Sequence, residues 1–162
     1  MSTPKSAGVR PIDSSASAQP AASHRTAGTG SGPQVSTSVA SDGAGTYAVS
    51  FPKRTADEAG GVTSPEELIG AAHSACYSMA FSGQLAQAGA SNIRATVRAD
   101  VTLGADTEGG GLRIRTVKLT VRGSADGIDE EAFRKAADAA KVGCPVSKAL
   151  TGTDIQLDAA LA

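Results

Sequence analysis

The chain holds two cysteines, Cys76 and Cys144, in different settings. Cys76 lies in a long stretch without charge, Leu68 to Ile93. A thiol there is either inert packing or a nucleophile whose surroundings have been arranged for it. The second reading needs a nearby cation or donor, because burial raises a thiol above its free pKa of roughly 8.5. Arg54, in the segment leading into this stretch, is the candidate cation. Its guanidinium stays protonated and offers a planar fork of donors suited to a thiolate and to a peroxide oxygen. Otherwise Arg54 is a solvated surface charge. Cys144 precedes Pro145, which places it at the N-cap of a short helix, where partial positive charge favours a thiolate. It can equally stand in for a Ser-type cap. Glu66 falls at the second position of a helix, where the macrodipole alone accounts for it, or it pairs with Arg54 and fixes the guanidinium. His73 stands one turn before Cys76, which permits a Cys–His dyad or a metal site. Two Cys and two His, with His24 far upstream, give no ligand spacing of the zinc kind, so His73 reads as a hydrogen-bonded core or interface residue.

The elements that must position these groups are marked by their own signals. Ser64, Pro65 and Glu67 form a Ser-x-x-Glu capping box with proline at the first helical position, so a helix starts at Pro65. It is expected to run to about Ala88, with Gly89 ending it. Its lack of charge after Glu67 predicts a long central helix buried on most sides. Ile69, Ala72, Cys76, Met79, Ala80 and Gly83 recur at helical spacing and put Cys76 on a buried stripe. Upstream, Val35, Thr37 and Val39, then Tyr47, Val49 and Phe51, alternate about the turn residues Ser41 to Gly45, the pattern of a hairpin. Downstream, Ile93 to Leu103 alternates apolar with polar as a long strand with one wet face. Leu112 and Ile114 keep one phase but Val117, Leu119 and Val121 the other, which calls for a β-bulge near Thr116.

Asp129 caps a second helix, Ile128 staples onto Phe133, and Ala136, Ala137 and Ala140 form its narrow apolar face up to Gly143. A short helix from Cys144 to Leu150 and a last strand alternating Ile155, Leu157, Ala159 and Leu161 close the chain. The order β-β-α-β-β-α-α-β predicts an α+β fold, with helices over one face of a mainly antiparallel sheet. Residues 1–24, rich in Ser, Ala, Thr and Pro, read as a disordered tail, and 25–162 as a single domain.

Composition narrows the function. Fifteen Lys and Arg nearly balance sixteen Asp and Glu, both scattered, so neither nucleic acid nor a membrane surface is an expected partner. Two cysteines are too few for a secreted disulfide scaffold, and the N-terminus lacks an apolar leader core, so the expected location is cytoplasmic. The uncharged stretch carries His73 and several Ser, Gln and Asn residues, which makes it a buried helix of a soluble domain rather than a membrane span.

At this point the residues resemble a family. Thr63-Ser-Pro-Glu-Glu-Leu-Ile-Gly-Ala-Ala-His-Ser-Ala-Cys-Tyr-Ser-Met-Ala-Phe-Ser82 looks like the signature helix of the OsmC/Ohr hydroperoxide reductases. Gly143-Cys-Pro-Val-Ser-Lys-Ala-Leu150 resembles their resolving-cysteine segment, and the two motifs stand in the family's order. His73 and Ser78-Met79-Ala80 look like the OsmC branch. One departure is that His24 to Gly32 carries no tryptophan, where the family often opens on a tryptophan-bearing strand. The resemblance implies an intertwined homodimer with active sites at the subunit interface and an arginine and a glutamate beside the peroxidatic cysteine. By motif Cys76 is peroxidatic, Cys144 resolving, Glu66 the glutamate and Arg54 the arginine, with Lys53 the neighbouring alternative. The expected activity is reduction of organic hydroperoxides and hydrogen peroxide in stress defence. Cys76 becomes a sulfenic acid, Cys144 closes a disulfide, and an external dithiol restores both without metal or flavin. Met79 and Phe81 are expected to line an apolar substrate pocket. The rivals are a redox-inert small-molecule-binding dimer of the same fold and a Cys76–His73 acyl-transfer enzyme.

Overall fold

The computed structural model describes residues 34–38, 46–50 and 62–162. The proposed tail, the hairpin turn and Arg54 lie outside the described residues. Strands β1 (Gln34–Ser38) and β2 (Thr46–Ser50) form an antiparallel pair in which Val35 faces Val49 and Thr37 faces Tyr47. Beyond β2, the Thr63 amide donates to the Ala48 carbonyl at 2.9 Å, leading the chain into the first helix.

Helix α1 (Pro65–Gln87) begins on the anticipated capping box. The Glu67 amide donates to Ser64 Oγ at 3.2 Å and the Ser64 amide to Glu67 Oε2 at 3.1 Å, satisfying two amides that would otherwise lack partners. The Thr63 hydroxyl donates a second bond to the same carboxylate at 2.8 Å. At the other end Gly89 takes φ +87°, and the Ala90 amide reaches back to Leu85 O while the Gly89 amide reaches Ala86 O. This Schellman closure explains why the helix stops where glycine stands.

Strands β3 (Ser91–Ala105), β4 (Leu112–Asp126) and β5 (Asp154–Leu161) form a second sheet in the order β3-β4-β5. The first pairing is antiparallel and the second parallel, so the sheet is mixed. Alternation identified the last strand, but its direction follows from the helical crossover that separates it from β4. The bulge falls where the two phases conflict: Thr102 pairs with Thr116 but Leu103 with Ile114, leaving Arg115 as the extra residue. Gly104 faces that residue, and a Cβ there would stand 2.7 Å from Arg115 Cδ. Helix α2 (Glu130–Gly143) is capped by Asp129, whose Oδ1 accepts from the Ala132 amide at 2.8 Å, and α3 (Pro145–Ala149) follows directly after Cys144.

The core lies between this sheet and the helices. Tyr77, Phe81 and Leu85 of α1 meet Val97, Ala99 and Val101 of β3, Val117, Leu119 and Val121 of β4, and Phe133, Ala136, Ala137 and Ala140 of α2. Phe81 meets Phe133 edge-on, with centroids 5.0 Å apart, and the Tyr77 hydroxyl donates to Ala137 O at 2.9 Å. The inward face of α1 is therefore Glu66, Gly70, His73, Ser74, Tyr77, Phe81 and Leu85. This corrects the expected stripe. Ala72, Met79 and Gly83 are exposed, Met79 by 56%, and Phe81 is a core residue rather than a pocket wall. The reason is area: the side of the helix with two aromatic rings and a leucine removes most apolar surface from water, and it takes the sheet. Among the described residues the opposite side of α1 is uncovered.

Candidate active site

Three short segments meet behind the core: the middle of α1, the end of α2 and the start of α3. Cys76 Sγ and Cys144 Sγ stand 3.2 Å apart, 68 positions apart in sequence, and both are free thiols. One turn toward the start of α1, His73 Nε2 lies 2.8 Å from Ser147 Oγ, three residues past Cys144. Two polar contacts, side by side, thus tie α1 to α3. His73, Ser147 and Cys144 are all buried, while Cys76 is only partly so.

The local sequence explains the placement. Gly143 ends α2, and Cys144 accepts the turn in extended backbone (φ −62°, ψ 123°) before Pro145 starts α3. That abrupt corner carries the Cys144 sulfur toward α1. On α1 a spacing of three residues puts His73 and Cys76 on adjacent turns of the same side, so both reach α3.

The two thiols do not ionise alike. Burial pushes the Cys76 thiol up, and the neighbouring Cys144 sulfur pushes it further, with only the Val146 amide opposing. Burial also pushes Cys144 up, but hydrogen bonds from the Ser147 amide, the Cys76 thiol, the Ser147 hydroxyl and the Val146 amide outweigh it and bring Cys144 down. The two sulfurs touch at 3.2 Å, and of the two it is Cys144 whose surroundings favour the thiolate. The described residues place no cation against Cys76 that would reverse this order. Burial holds His73 below the usual imidazole value, so it is neutral at neutral pH.

Of the residues nominated from sequence, Cys76 and Cys144 come together and His73 is the hydrogen-bonded core residue expected. Glu66 is buried at the start of α1. Ten residues of helix separate it from Cys76, a rise of about 15 Å, so the two cannot touch within one chain. Arg54 lies outside the described residues. Ser147 was missed. Its signal is positional, since a hydroxyl three residues after an N-cap sits over that cap, as in a capping box.

With this geometry in view, residues 58–158 match the model of the OsmC-like proteins. The chain belongs to the OsmC-like family. It is 44% identical over 96 residues to peroxiredoxin OsmC of Escherichia coli, an alignment covering 59% of this chain and 65% of that one. It therefore spans just under two thirds of the length of that curated relative. It is 31% identical over 109 residues to the organic hydroperoxide resistance protein-like 2 of Staphylococcus epidermidis, covering 66% and 74%. Among solved structures it resembles the organic hydroperoxide resistance protein OhrB of Bacillus subtilis, with TM-score 0.60, 25% identity and coverage of 78% and 96%. These OsmC and Ohr likenesses establish the α+β fold of the family for this chain. Among the described residues no helix is long and apolar enough to cross a membrane.

Proposed function

We propose that this protein is a two-cysteine thiol peroxidase acting on organic hydroperoxides. The observation that carries the reading is the sulfur pair itself: two free thiols at 3.2 Å, one partly exposed and the other fully buried. Closing a disulfide requires an approach of only about 1 Å. Exposure divides the roles. Cys76 meets a peroxide arriving from outside, whereas Cys144 is the more readily ionised sulfur but sits behind it. Relatives named peroxiredoxin and organic hydroperoxide resistance protein support the same chemistry.

In the first step the Cys76 thiolate attacks the outer peroxide oxygen. An S–O bond forms, the O–O bond breaks, and the departing alkoxide takes a proton to leave as alcohol. Cys76 is then a sulfenic acid, and Cys144 converts it to a disulfide with loss of water before it can oxidise further. An external dithiol reduces the disulfide. Because the described surroundings push the Cys76 thiol up, the first step needs a cation, and Arg54 is the proposed one, also stabilising the alkoxide.

The proposal extends to a homodimer. The outer side of α1, with Ala71, Ala72, Ala75, Met79 and Gly83 exposed beside Cys76, carries no charge. A second copy seated there would cover it and shield Cys76 from water. Cys76→Ser is expected to abolish consumption of tert-butyl hydroperoxide, while Cys144→Ser should complete one turnover and then accumulate sulfinic acid on Cys76. Equal activity of wild type and Cys76→Ser would move the reading to a redox-inert binding dimer.

A further inference from the structure

The two sulfurs differ in what can reach them. Cys144 is 0% exposed and belongs to the core cluster with Tyr77, Ala137 and Ala140, whereas Cys76 is only partly covered. The backbone of Cys144 is held on both sides. Its amide donates to Ala140 O at 2.8 Å, ending α2, and its carbonyl accepts from the Lys148 amide at 3.0 Å, starting α3. Swinging the sulfur outward would break both helix ends. The pair stands at 3.2 Å and closes over about 1 Å, so a disulfide formed here keeps the same arrangement, with Cys76 Sγ in front and Cys144 Sγ behind.

A disulfide is opened by a thiolate that attacks one of its two sulfurs, so access decides which cysteine carries the mixed disulfide. We propose that the external dithiol is received at Cys76 and that Cys144 is the leaving group, so that Cys76 meets both the oxidant and the reductant through one opening. The proposal rests on the peroxidase reading and deepens it to the reductive half of the cycle. The first thiolate of the reductant attacks Cys76 Sγ. A new S–S bond joins the reductant to Cys76 as the Cys76–Cys144 bond breaks, and the electron pair leaves on Cys144 Sγ. The second thiolate of the reductant then attacks its own sulfur bonded to Cys76, which closes the reductant's disulfide and releases Cys76 as a thiolate. Two electrons pass to the protein, the dithiol is oxidised, and its two thiol protons balance the two cysteine thiols regained. Cys144 suits the leaving role. Burial pushes it up, but hydrogen bonds led by the Ser147 amide bring it down, and the sulfur that ionises more readily leaves faster. Cys76, pushed up by burial, is the poorer leaving group.

The test opens the disulfide of full-length wild type after it has been formed with diamide, so that no peroxide is involved, and freed of excess oxidant. A brief pulse of mercaptoethanol is stopped with acid, free thiols are capped with N-ethylmaleimide, and the peptides are mapped by mass spectrometry without reduction. The product with mercaptoethanol on Cys76 and maleimide on Cys144 should exceed the reverse at least about tenfold. Single-cysteine variants check access with no neighbour to which an adduct could move. With dithiobis-nitrobenzoate, Cys144→Ser should release the coloured thiolate at least about tenfold faster than Cys76→Ser, although Cys144 is the sulfur brought down. Mercaptoethanol on Cys144, or evenly on both, would overturn the inference, as would equal rates in the two variants, and the peroxidase reading would stand. Thiols left intact by tert-butyl hydroperoxide would instead bring down the peroxidase reading, and the diamide-formed disulfide would still show which sulfur receives the thiol. Failure of diamide to join the two cysteines would overturn the inference.

Discussion

Past Glu67 the two sides of α1 are both free of charge, yet they meet opposite fates. The inner side carries Tyr77, Phe81 and Leu85 and is closed by the chain's own sheet and by α2. The outer side carries alanines, Gly83 and Met79 and is left open among the described residues, with Cys76 at the border between them. The contrast teaches that bulk decides which side a chain closes for itself, and the lighter side, open beside Cys76, is where the proposed second copy would sit.

Substitutions on each side should separate the two roles. The largest effect belongs to the inner side: Phe81→Ala removes a fully buried ring packed on Phe133, and urea unfolding should show a loss of about 3–5 kcal/mol. Cys76→Ser, at the border, should unfold within about 1 kcal/mol of wild type while consuming no peroxide. Next comes Arg54→Met. If Arg54 offsets the burial that pushes Cys76 up, the variant should lose about a hundredfold in peroxide consumption, the scale of one lost oxyanion donor. The sign is fixed, since less thiolate at neutral pH means that the rate climbs at higher pH than in wild type. An unshifted profile would break the assignment of that arginine.

On the outer side, Met79→Asp should leave far-UV circular dichroism unchanged but weaken self-association at least about tenfold in sedimentation equilibrium, because a carboxylate would be buried in the interface. A monomeric wild type would remove the second copy from the account. The smallest effect concerns acid. A histidine held neutral by burial has a folded pKa below its unfolded value, so the unfolded chain binds the extra proton. Stability is then whole above about pH 6.5 and declines as pH falls below it. Urea midpoints measured from pH 7.5 to 5 should fall in wild type and flatten in His73→Gln.

Much of this could be read from the chain, wherever a local signal had one physical meaning. The capping box at Ser64 and Glu67, the alternation of β3 and the bulge forced by the phase change near Thr116 each have only one backbone that satisfies them. The corner at Gly143-Cys144-Pro145 was equally plain. What the sequence left open were relations between distant parts. An uncharged helix does not announce which side meets the sheet, so Met79 and Phe81 were assigned to the wrong surroundings. A strand's alternation is the same whichever way it runs, so the parallel pairing of β5 was not visible. The distance from Glu66 to Cys76 was present in the numbering, but it bears on the site only once both are seen on one unbroken helix. Ser147 looked like an ordinary polar residue of a short helix until His73 was found against it.

The central claim is that the contact between Cys76 and Cys144 is the working couple of a peroxidase. Its most direct test is to add one equivalent of tert-butyl hydroperoxide per subunit, titrate free thiols, and map the product by mass spectrometry without reduction. The account predicts rapid loss of both thiols and a Cys76–Cys144 disulfide within the chain; two thiols surviving unchanged would contradict it.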